Sequence, residues 1–370
     1  MPVNKAAEFY ALGTTGANSQ FQEEYLTFAP FEQRIPSFSM TRLALNPGKY
    51  PAERQLLQEK QRELRRVLFY KEDFSKIRSV LDIGCGHGTD VIQLARHYAH
   101  LHADGYTITK DQADLGNARI AQLGIGSRAR IFNRDSASDR FPGVYDLVIG
   151  IEVTFHIRDK RALFANIAAS LAGDGRVLLM DYIANLRGPI ADPAVEITIP
   201  TEEDWADVLA TQHFLIDELI DVSPQIANFL HDPEFETNIR GIPKVAQDTF
   251  RNYANQSIAL ERGWISYCLF KIKNARGMPE DQVRARNAEK IATKRPYADA
   301  VREQNAVNTS AYPFSAARAT PLEPAEREPS TGGPSQGTIL FHPQWVAREI
   351  DGHAAAVRIE LRHVFIYGFD

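Results

Sequence analysis

The chain has 370 residues, more than a typical single domain, so length alone points to two units or to one domain with large additions. Its 44% hydrophobic and 24% charged residues suit a soluble globular protein, and 42 basic against 47 acidic side chains, a formal charge of −5, argue against general nucleic-acid binding. No apolar run approaches the ~18 residues of a membrane span, MPVNKAAEFYALG lacks the features of a signal peptide, and two cysteines exclude a disulfide scaffold or a cysteine-rich zinc site, so the expectation is a cytoplasmic protein.

No internal repeat is visible. Residues 1–78 read as mostly helical, with an aromatic-rich opening (Phe9, Tyr10, Phe21, Tyr25, Phe28, Phe31). A charged helix is predicted over about Pro51–Lys71, where Leu56, Leu57, Leu64, Val67 and Leu68 recur at helical spacing and imply one buried face. From Ile77 the texture alternates. Val80–Ile83 reads as a buried strand, then come a glycine turn and a helix over Thr89–His100. A strand at Gly105–Ile108, a helix at Lys110–Leu123 and a strand at Ala129–Asn133 follow. The series continues with the apolar run Tyr145–Ile151, the helix Lys160–Leu171 and the strand Arg176–Tyr182. Such alternation predicts a parallel, doubly wound α/β sheet. Thr201 and Asp204 mark a helix start, after which HFLIDELIDV and WISYCLFKIK read as strands separated by the helical stretch Pro224–Gly263, large enough to form a lid. A charged helical stretch runs to about Val307, and 319–338 has the composition of a linker. ILFHPQW and RHVFIYGFD read as strands of something else, and the end on an apolar strand suggests a piece of a longer polypeptide.

The strongest chemical signal is VLDIGCGHGTD at 80–90. An apolar strand delivers Asp82 to its carboxyl end, and Gly84, Gly86 and Gly88 let the backbone turn tightly before a helix N-terminus. No Lys-Ser/Thr follows, which excludes a P-loop, and the evenly alternating glycines differ from the G-x-G-x-x-G of dinucleotide sites. On the residues alone the turn could hold a dinucleotide or a nucleotide sulfonium, or merely close a strand–helix corner.

The motif resembles motif I of class I S-adenosylmethionine-dependent methyltransferases, and the resemblance extends over about 78–275. GYTITKDQ at 105–112 resembles the G-x-T-x-S-x-x-Q pattern of small-molecule methyltransferases related to sterol and cyclopropane-forming enzymes. It implies that Thr107, Ile108 and Gln112 hold the ribose and amino-acid portion of the cofactor. Thr109 and Gln112 also read as a helix capping box. NRDS at 133–136 implies Asp135 at the adenine amino group, with Ser136 beside it, and YDLVIGIEVTFH resembles the fourth-strand motif with its Glu-x-x-x-His ending. The implied cofactor set is completed by Asp82, Gly84, Cys85, Gly86 and Ile151. His156 is the candidate base, because an ordinary imidazole is mostly neutral at cellular pH. Glu152 would orient it or touch the cofactor, and Glu261 is a further candidate partner. His87, inside the glycine turn, is expected to face cofactor or solvent and is assigned no chemistry; His97, His100 and His102 make no metal frame, Cys85 reads as a small filler, and Trp264 and Tyr267 are expected to pack in the last strand.

The flanks EEYLTFAPFEQRIPSFSM, SPQIANFLHDPEFETNI and YANQSIALERGWISY resemble methyltransferase domains embedded in modular type I polyketide synthases, most closely the O-methylating kind. The implied fold is a Rossmann-like methyltransferase sheet with a helical N-terminal region and a helical lid inserted before the last strand. The implied division is an N-terminal lid and substrate region (1–78), a methyltransferase core (79–275, insertion 224–263), a helical extension (276–318), a linker (319–338) and the start of a ketoreductase structural region (339–370). The acceptor would be a β-hydroxyl on an acyl chain tethered through phosphopantetheine to an acyl carrier protein, with other synthase domains as neighbours. A tunnel walled by the N-terminal aromatics and residues 224–263 would receive it. Methylation of the α-carbon of a β-ketoacyl chain is the alternative, and an inactive methyltransferase-like scaffold the second.

Overall fold

Strand-forming runs and amphipathic helices alternate through the molecule as their periodicities predict. The computed structural model describes residues 25–192, 197–240, 244–307, 348–350 and 353–355. In chain order the strands are β1 (Ser79–Asp82), β2 (His102–Thr107), β3 (Ala129–Asn133), β4 (Tyr145–Ile151), β5 (Leu171–Ala184), β6 (Ile190–Asp192), β7 (Ile197–Ile199), β8 (Phe214–Asp221), β9 (Ile265–Asn274), β10 (Arg295–Pro296), β11 (Arg348–Ile350) and β12 (His353–Ala355). The helices are α1 (Met40–Leu45), α2 (Pro51–Phe69), α3 (Thr89–His97), α4 (Lys110–Gln122), α5 (Lys160–Ser170), α6 (Glu202–Ala210), α7 (Ser223–Leu230), α8 (Phe235–Asn238), α9 (Lys244–Glu261), α10 (Glu280–Ala292) and α11 (Tyr297–Ala306). The linker predicted at 319–338, ILFHPQW and RHVFIYGFD lie outside the described residues.

Eight strands form one sheet in the order β10-β8-β9-β5-β4-β1-β2-β3. Its pairs are parallel except where β9 runs against β5 and β8. Successive residues face opposite sides of a strand, so a sheet covered on both faces needs continuous apolar runs. Val80, Leu147, Ile149 and Leu178 accordingly enter one core, and Leu81, Val148, Val177 and Leu179 the other, all fully buried. From β1 the chain winds outward to β3 and returns as β4 on the other side of β1. That reversal opens a crevice at the carboxyl ends of β1 and β4, where open α/β sheets bind ligands.

Several elements depart from the sequence reading. Helix α3 ends at His97 because Tyr98 is already extended, whereas the prediction ran to His100. Thr201 and Asp204 form the expected capping box of α6. Thr109 and Gln112 do not form one: Gln112 Oε1 accepts instead from Thr107 Oγ1 at 2.8 Å. Helix α2 buries Leu64, Val67 and Leu68 as expected, but Gln61 and Arg65 lie on the same face and are buried as well. Past residue 275, the charged stretch is two helices, α10 and α11, separated by the short edge strand β10.

The insertion at 224–263 is mainly helical in its described residues, which form α7, α8 and α9. Its Phe229 and Tyr253 pack against Phe28, and Phe229 against Phe31 and Phe38, so it supports the N-terminal segment from behind.

Candidate active site

A cavity of about 770 Å³ opens at the crevice between β1 and β4. Its floor is the glycine turn. Gly84 N–H donates to Asp82 Oδ1 at 3.1 Å, and Gly86 and Gly88 have φ of +53° and +81°, the left-handed region that glycine enters without steric cost. A Cβ on Gly84 would lie 2.1 Å from Val153 Cγ2, so the turn and the segment after β4 are in backbone-to-side-chain contact. All ten predicted cofactor-binding residues line this cavity, from Asp82 and the glycine turn to Ile151, together with Glu152 and His156.

The environment of the turn is acidic and dry. Burial pushes the Asp82 carboxyl up to about 8, helped by the charge of Asp90 and opposed by the Gly84 N–H and by Arg65. Asp90 is held by Arg65 through two parallel bonds, Nε to Oδ1 at 2.7 Å and Nη2 to Oδ2 at 2.8 Å, a fork geometry among the stronger charge-assisted pairs. Tyr25 lies over the same guanidinium, 3.5 Å from ring centroid to Cζ. Gln61 donates to the Tyr25 and Thr27 carbonyls at 3.0 and 2.5 Å, so the buried polar residues of α2 fasten Tyr25–Thr27 over the cavity. Burial holds the Cys85 thiol well above its ordinary range, and a Cβ on Gly105 would meet its sulfur at 2.6 Å; Cys85 fills space, as expected. His87 is buried, and burial with the Arg119 charge lowers it to about 3, leaving a neutral ring.

The lining suits the nucleoside sulfonium that the motif resemblance implies. Asp135 and Glu152 offer carboxyl groups to a cation, Asp82 offers one that a bound cation would ionise, and Thr107 and Gln112 offer hydroxyl and amide groups. Thr109 Oγ1 is buried against the cavity without a hydrogen-bond partner, a cost that a bound hydroxyl would remove. Asp135 Oδ1 already accepts from Ala137 N–H at 2.8 Å, which fixes the carboxyl at the end of β3. Ser136 Oγ donates to the Ile83 carbonyl at 2.7 Å and ties that loop to β1. Among the described residues, no group of three or more His, Cys, Asp or Glu could hold a metal ion.

Glu152 and His156 sit on the turn that follows β4. Glu152 has a φ of +53°, unusual for a residue with a side chain, and its N–H donates to the Met180 carbonyl at 2.8 Å. Its Oε1 accepts from Tyr267 Oη at 2.7 Å and from Phe28 N–H at 3.1 Å. Thr154–His156 form a single 3₁₀ turn that buries Phe155 and brings His156 to the cavity wall. Glu261 is not brought to the cavity. It ends α9 in an ion pair with Arg34, both side chains more than a third exposed, because the insertion packs behind the N-terminal segment. For the same reason no described residue of 224–263 lines the cavity; the wall beyond His156 is Ala191, Ile197 and Thr198 of the β6–β7 hairpin. Tyr25, one of the N-terminal aromatics expected to wall the site, does line the cavity; sequence reading missed Arg65 and Asp90 as lining residues, and missed Asp181 and Tyr267 as the supports of Thr154 and Glu152. Tyr267 does pack in the last strand, fully buried, but its hydroxyl is spent on Glu152.

A family model of a methyltransferase domain matches residues 81–177. The polyketide synthase ThaQ of Burkholderia thailandensis is 54% identical over 314 residues, which are 85% of this chain and 15% of that synthase, so the chain spans a small part of its length. The O-methyltransferase of a trans-AT polyketide synthase multienzyme of Brevibacillus brevis, solved in complex with S-adenosyl-L-homocysteine, is 56% identical with a TM-score of 0.76, covering 78% of this chain and 97% of that one. The StiE O-methyltransferase is 39% identical with a TM-score of 0.68, covering 74% and 95%.

Proposed function

The chain belongs to the O-methyltransferase domains of polyketide synthases, and on that premise we propose that it methylates the β-hydroxyl of an acyl chain carried on the phosphopantetheine of an acyl carrier protein, with His156 as the base. It is an S-adenosylmethionine-dependent methyltransferase. When bound, S-adenosylmethionine supplies a methyl group already activated by a positive sulfur, so the protein need not create an electrophile.

What remains for the protein is alignment and one proton. Asp82, Thr107, Gln112 and Asp135 are the residues suited to hold the cofactor, and Ile108, Ile151 and Val153 supply apolar wall. Water is limited on one side by Tyr25–Thr27, pinned through Gln61 and Arg65, and on the other by the β6–β7 hairpin. Alignment of two reactants in such a site is worth up to ~7–11 kcal/mol in favourable cases. His156 takes the hydroxyl proton as the acceptor oxygen bonds the methyl carbon, with loss of the methyl–sulfur bond in the same step to leave the sulfur as a neutral thioether. Glu152, fixed by Tyr267 and Phe28, supplies a carboxylate in the same cavity to stabilise the imidazolium that results. Convergence of both residues with the whole predicted cofactor set on one cavity is the observation that carries this reading.

Within it, 319–338 is a linker and 339–370 the start of a ketoreductase structural region, a neighbour in the same assembly. The test is to incubate the chain with S-adenosylmethionine and carrier-bound β-hydroxyacyl or β-ketoacyl chains and to weigh the products. The hydroxyl chain should gain one methyl group. A methylated product from the ketoacyl chain alone would overturn the assignment to oxygen. His156→Ala should lower turnover by ~10²–10⁴-fold with S-adenosylhomocysteine affinity unchanged.

A further inference from the structure

The His156 turn cannot fix its own geometry. It is three residues of 3₁₀ helix, with poorer hydrogen bonds than an α-helix and no neighbouring turn to extend it. The residues on either side of His156 are held from the interior. Thr154 donates twice to Asp181 Oδ2, from N at 3.0 Å and from Oγ1 at 2.6 Å. Lys160 Nζ donates to the Ile157 carbonyl at 3.1 Å and to the Thr198 carbonyl at 2.7 Å. Between them Phe155 is fully buried, its ring edge-on to Tyr182 with centroids 5.2 Å apart.

Asp181 is an unexpected residue at its position. It lies in the middle layer of the sheet, opposite Cys268 on β9, with no exposure to solvent. An apolar side chain there would avoid the cost of desolvating a carboxylate. The carboxylate is nonetheless satisfied by three donors, the two from Thr154 and the Tyr182 N–H at 2.7 Å. Among the described residues, its bonds thus reach the next residue of its own strand and, on another element, the turn that carries His156.

We propose that Asp181 is a positioning residue for methyl transfer, acting through Thr154 to hold the imidazole of His156 in line with the acceptor hydroxyl. The proposal rests on the reading of His156 as the base. Displacement of a catalytic group by about 1 Å can cost on the order of 10²-fold in rate, which sets the scale of the expected effect.

The experiment uses the full chain with carrier-bound β-hydroxyacyl substrate. Thr154→Val removes the hydroxyl donor at nearly constant volume, and Thr154→Ser keeps it. Thr154→Val should lower kcat by ~10–10²-fold with KM and S-adenosylhomocysteine affinity within about twofold, and Thr154→Ser should recover most of the loss. In the His156→Ala background, Thr154→Val should lower kcat no further, because the group it positions is gone. Wild-type kcat in Thr154→Val, or a further loss in the double variant equal to that in the single one, would overturn the clamp. Should Thr154→Val not fold, Asp181→Asn alone and with His156→Ala is judged by the same comparison. If His156→Ala itself retains turnover, the base assignment fails; if it is inactive while Thr154→Val is fully active, only the clamp does.

Discussion

Tyr267 donates its hydroxyl to Glu152 across 115 positions of sequence, and the 2.7 Å bond ties the antiparallel strand β9 to the wall of the cavity. Burial, with the carboxylate beside it, holds the phenol well above its ordinary range, so it remains a donor at any working pH. Tyr267→Phe should leave the aromatic packing with Tyr182 and Phe28 in place and delete one bond to a buried acid. Hydrogen bonds to charged groups contribute ~1.5–3 kcal/mol, so the variant should lose about that much stability in urea. Turnover should fall by roughly tenfold or more if Glu152 stabilises the protonated base, with S-adenosylhomocysteine affinity held. Unchanged turnover would remove Glu152 from the mechanism.

Asp82 couples cofactor binding to a proton. Its carboxyl is raised from 3.8 to about 8 in the folded chain, so the protein without cofactor carries a proton there at pH 7 that the unfolded chain does not. A raised carboxyl contributes stability that is complete below the unfolded value and is lost as pH rises through the folded one. Between pH 6 and 8, stability should therefore fall, at a slope of at most ~1.4 kcal/mol per unit from this group. A bound cation favours the carboxylate, so S-adenosylmethionine should release up to one proton at pH 7 and bind more tightly as pH rises from 6 to 8. Calorimetry in buffers of different ionisation enthalpy reads the proton directly. Asp82→Asn should abolish its release.

Two glycines two positions apart, Gly84 and Gly86, should respond differently to alanine. At Gly84 the new Cβ meets Val153 Cγ2 at 2.1 Å and Cβ at 2.5 Å, and Val153 is itself cavity wall. At Gly86 the nearest atom is Gln112 Nε2 at 3.9 Å, but φ is +53°. Gly84→Ala should cost ~1–3 kcal/mol by overpacking and weaken S-adenosylhomocysteine by more than tenfold. Gly86→Ala should cost ~1–2 kcal/mol of backbone strain. Thermal melts of both variants, with and without S-adenosylhomocysteine, separate the two effects.

Much of this was legible in the chain itself, and the reasons are local. β4 is found at Tyr145–Ile151 because a buried parallel strand must be a nearly continuous apolar run between turns, and the edge strand β3 at Ala129–Asn133 because buried Ala129 and Ile131 alternate with exposed Arg130. The cofactor-lining residues cluster in short motifs at strand ends, so sequence neighbours become site neighbours. The roles of Arg65, Asp181 and Tyr267 were invisible for the opposite reason. Each is a polar side chain in an apolar pattern, and its role depends on a partner 25, 27 or 115 positions away. Periodicity marks a face as buried but does not tell which polar residue on it has found a mate. The capping-box reading of Gln112 failed similarly: the local partner lost to Thr107, which β2 places beside it.

Glu261 precedes the last strand in sequence, but its placement at the exposed end of α9 predicts no role in the site. Its partner Arg34 is exposed, and exposed ion pairs contribute ~0–1 kcal/mol. Glu261→Ala should keep turnover within about twofold of the parent and shift the melting temperature little. A large loss of turnover would require the α9 end to approach the cavity during catalysis.

The Arg65–Asp90 pair separates stability from binding. Removing one partner of a buried pair leaves an uncompensated charge, so Arg65→Ala should destabilise by ~3–5 kcal/mol. Replacing both by apolar residues of similar volume, Arg65→Met with Asp90→Leu, should recover much of that loss, since neither desolvated charge remains. Binding should not recover with it. Arg65 Nη1 also donates to Thr27 Oγ1 at 3.0 Å, and its guanidinium lies under Tyr25, so the double variant still releases Tyr25–Thr27 from the cavity mouth. It also deletes the Asp90 charge that raises Asp82 together with the weaker opposing charge of Arg65, so on balance the carboxyl should titrate lower and less of a proton should be released on binding at pH 7. A double variant that melts near the parent temperature, binds S-adenosylmethionine more weakly and releases fewer protons would show that this pair serves the site. Full recovery of affinity along with stability would show that it serves only the fold.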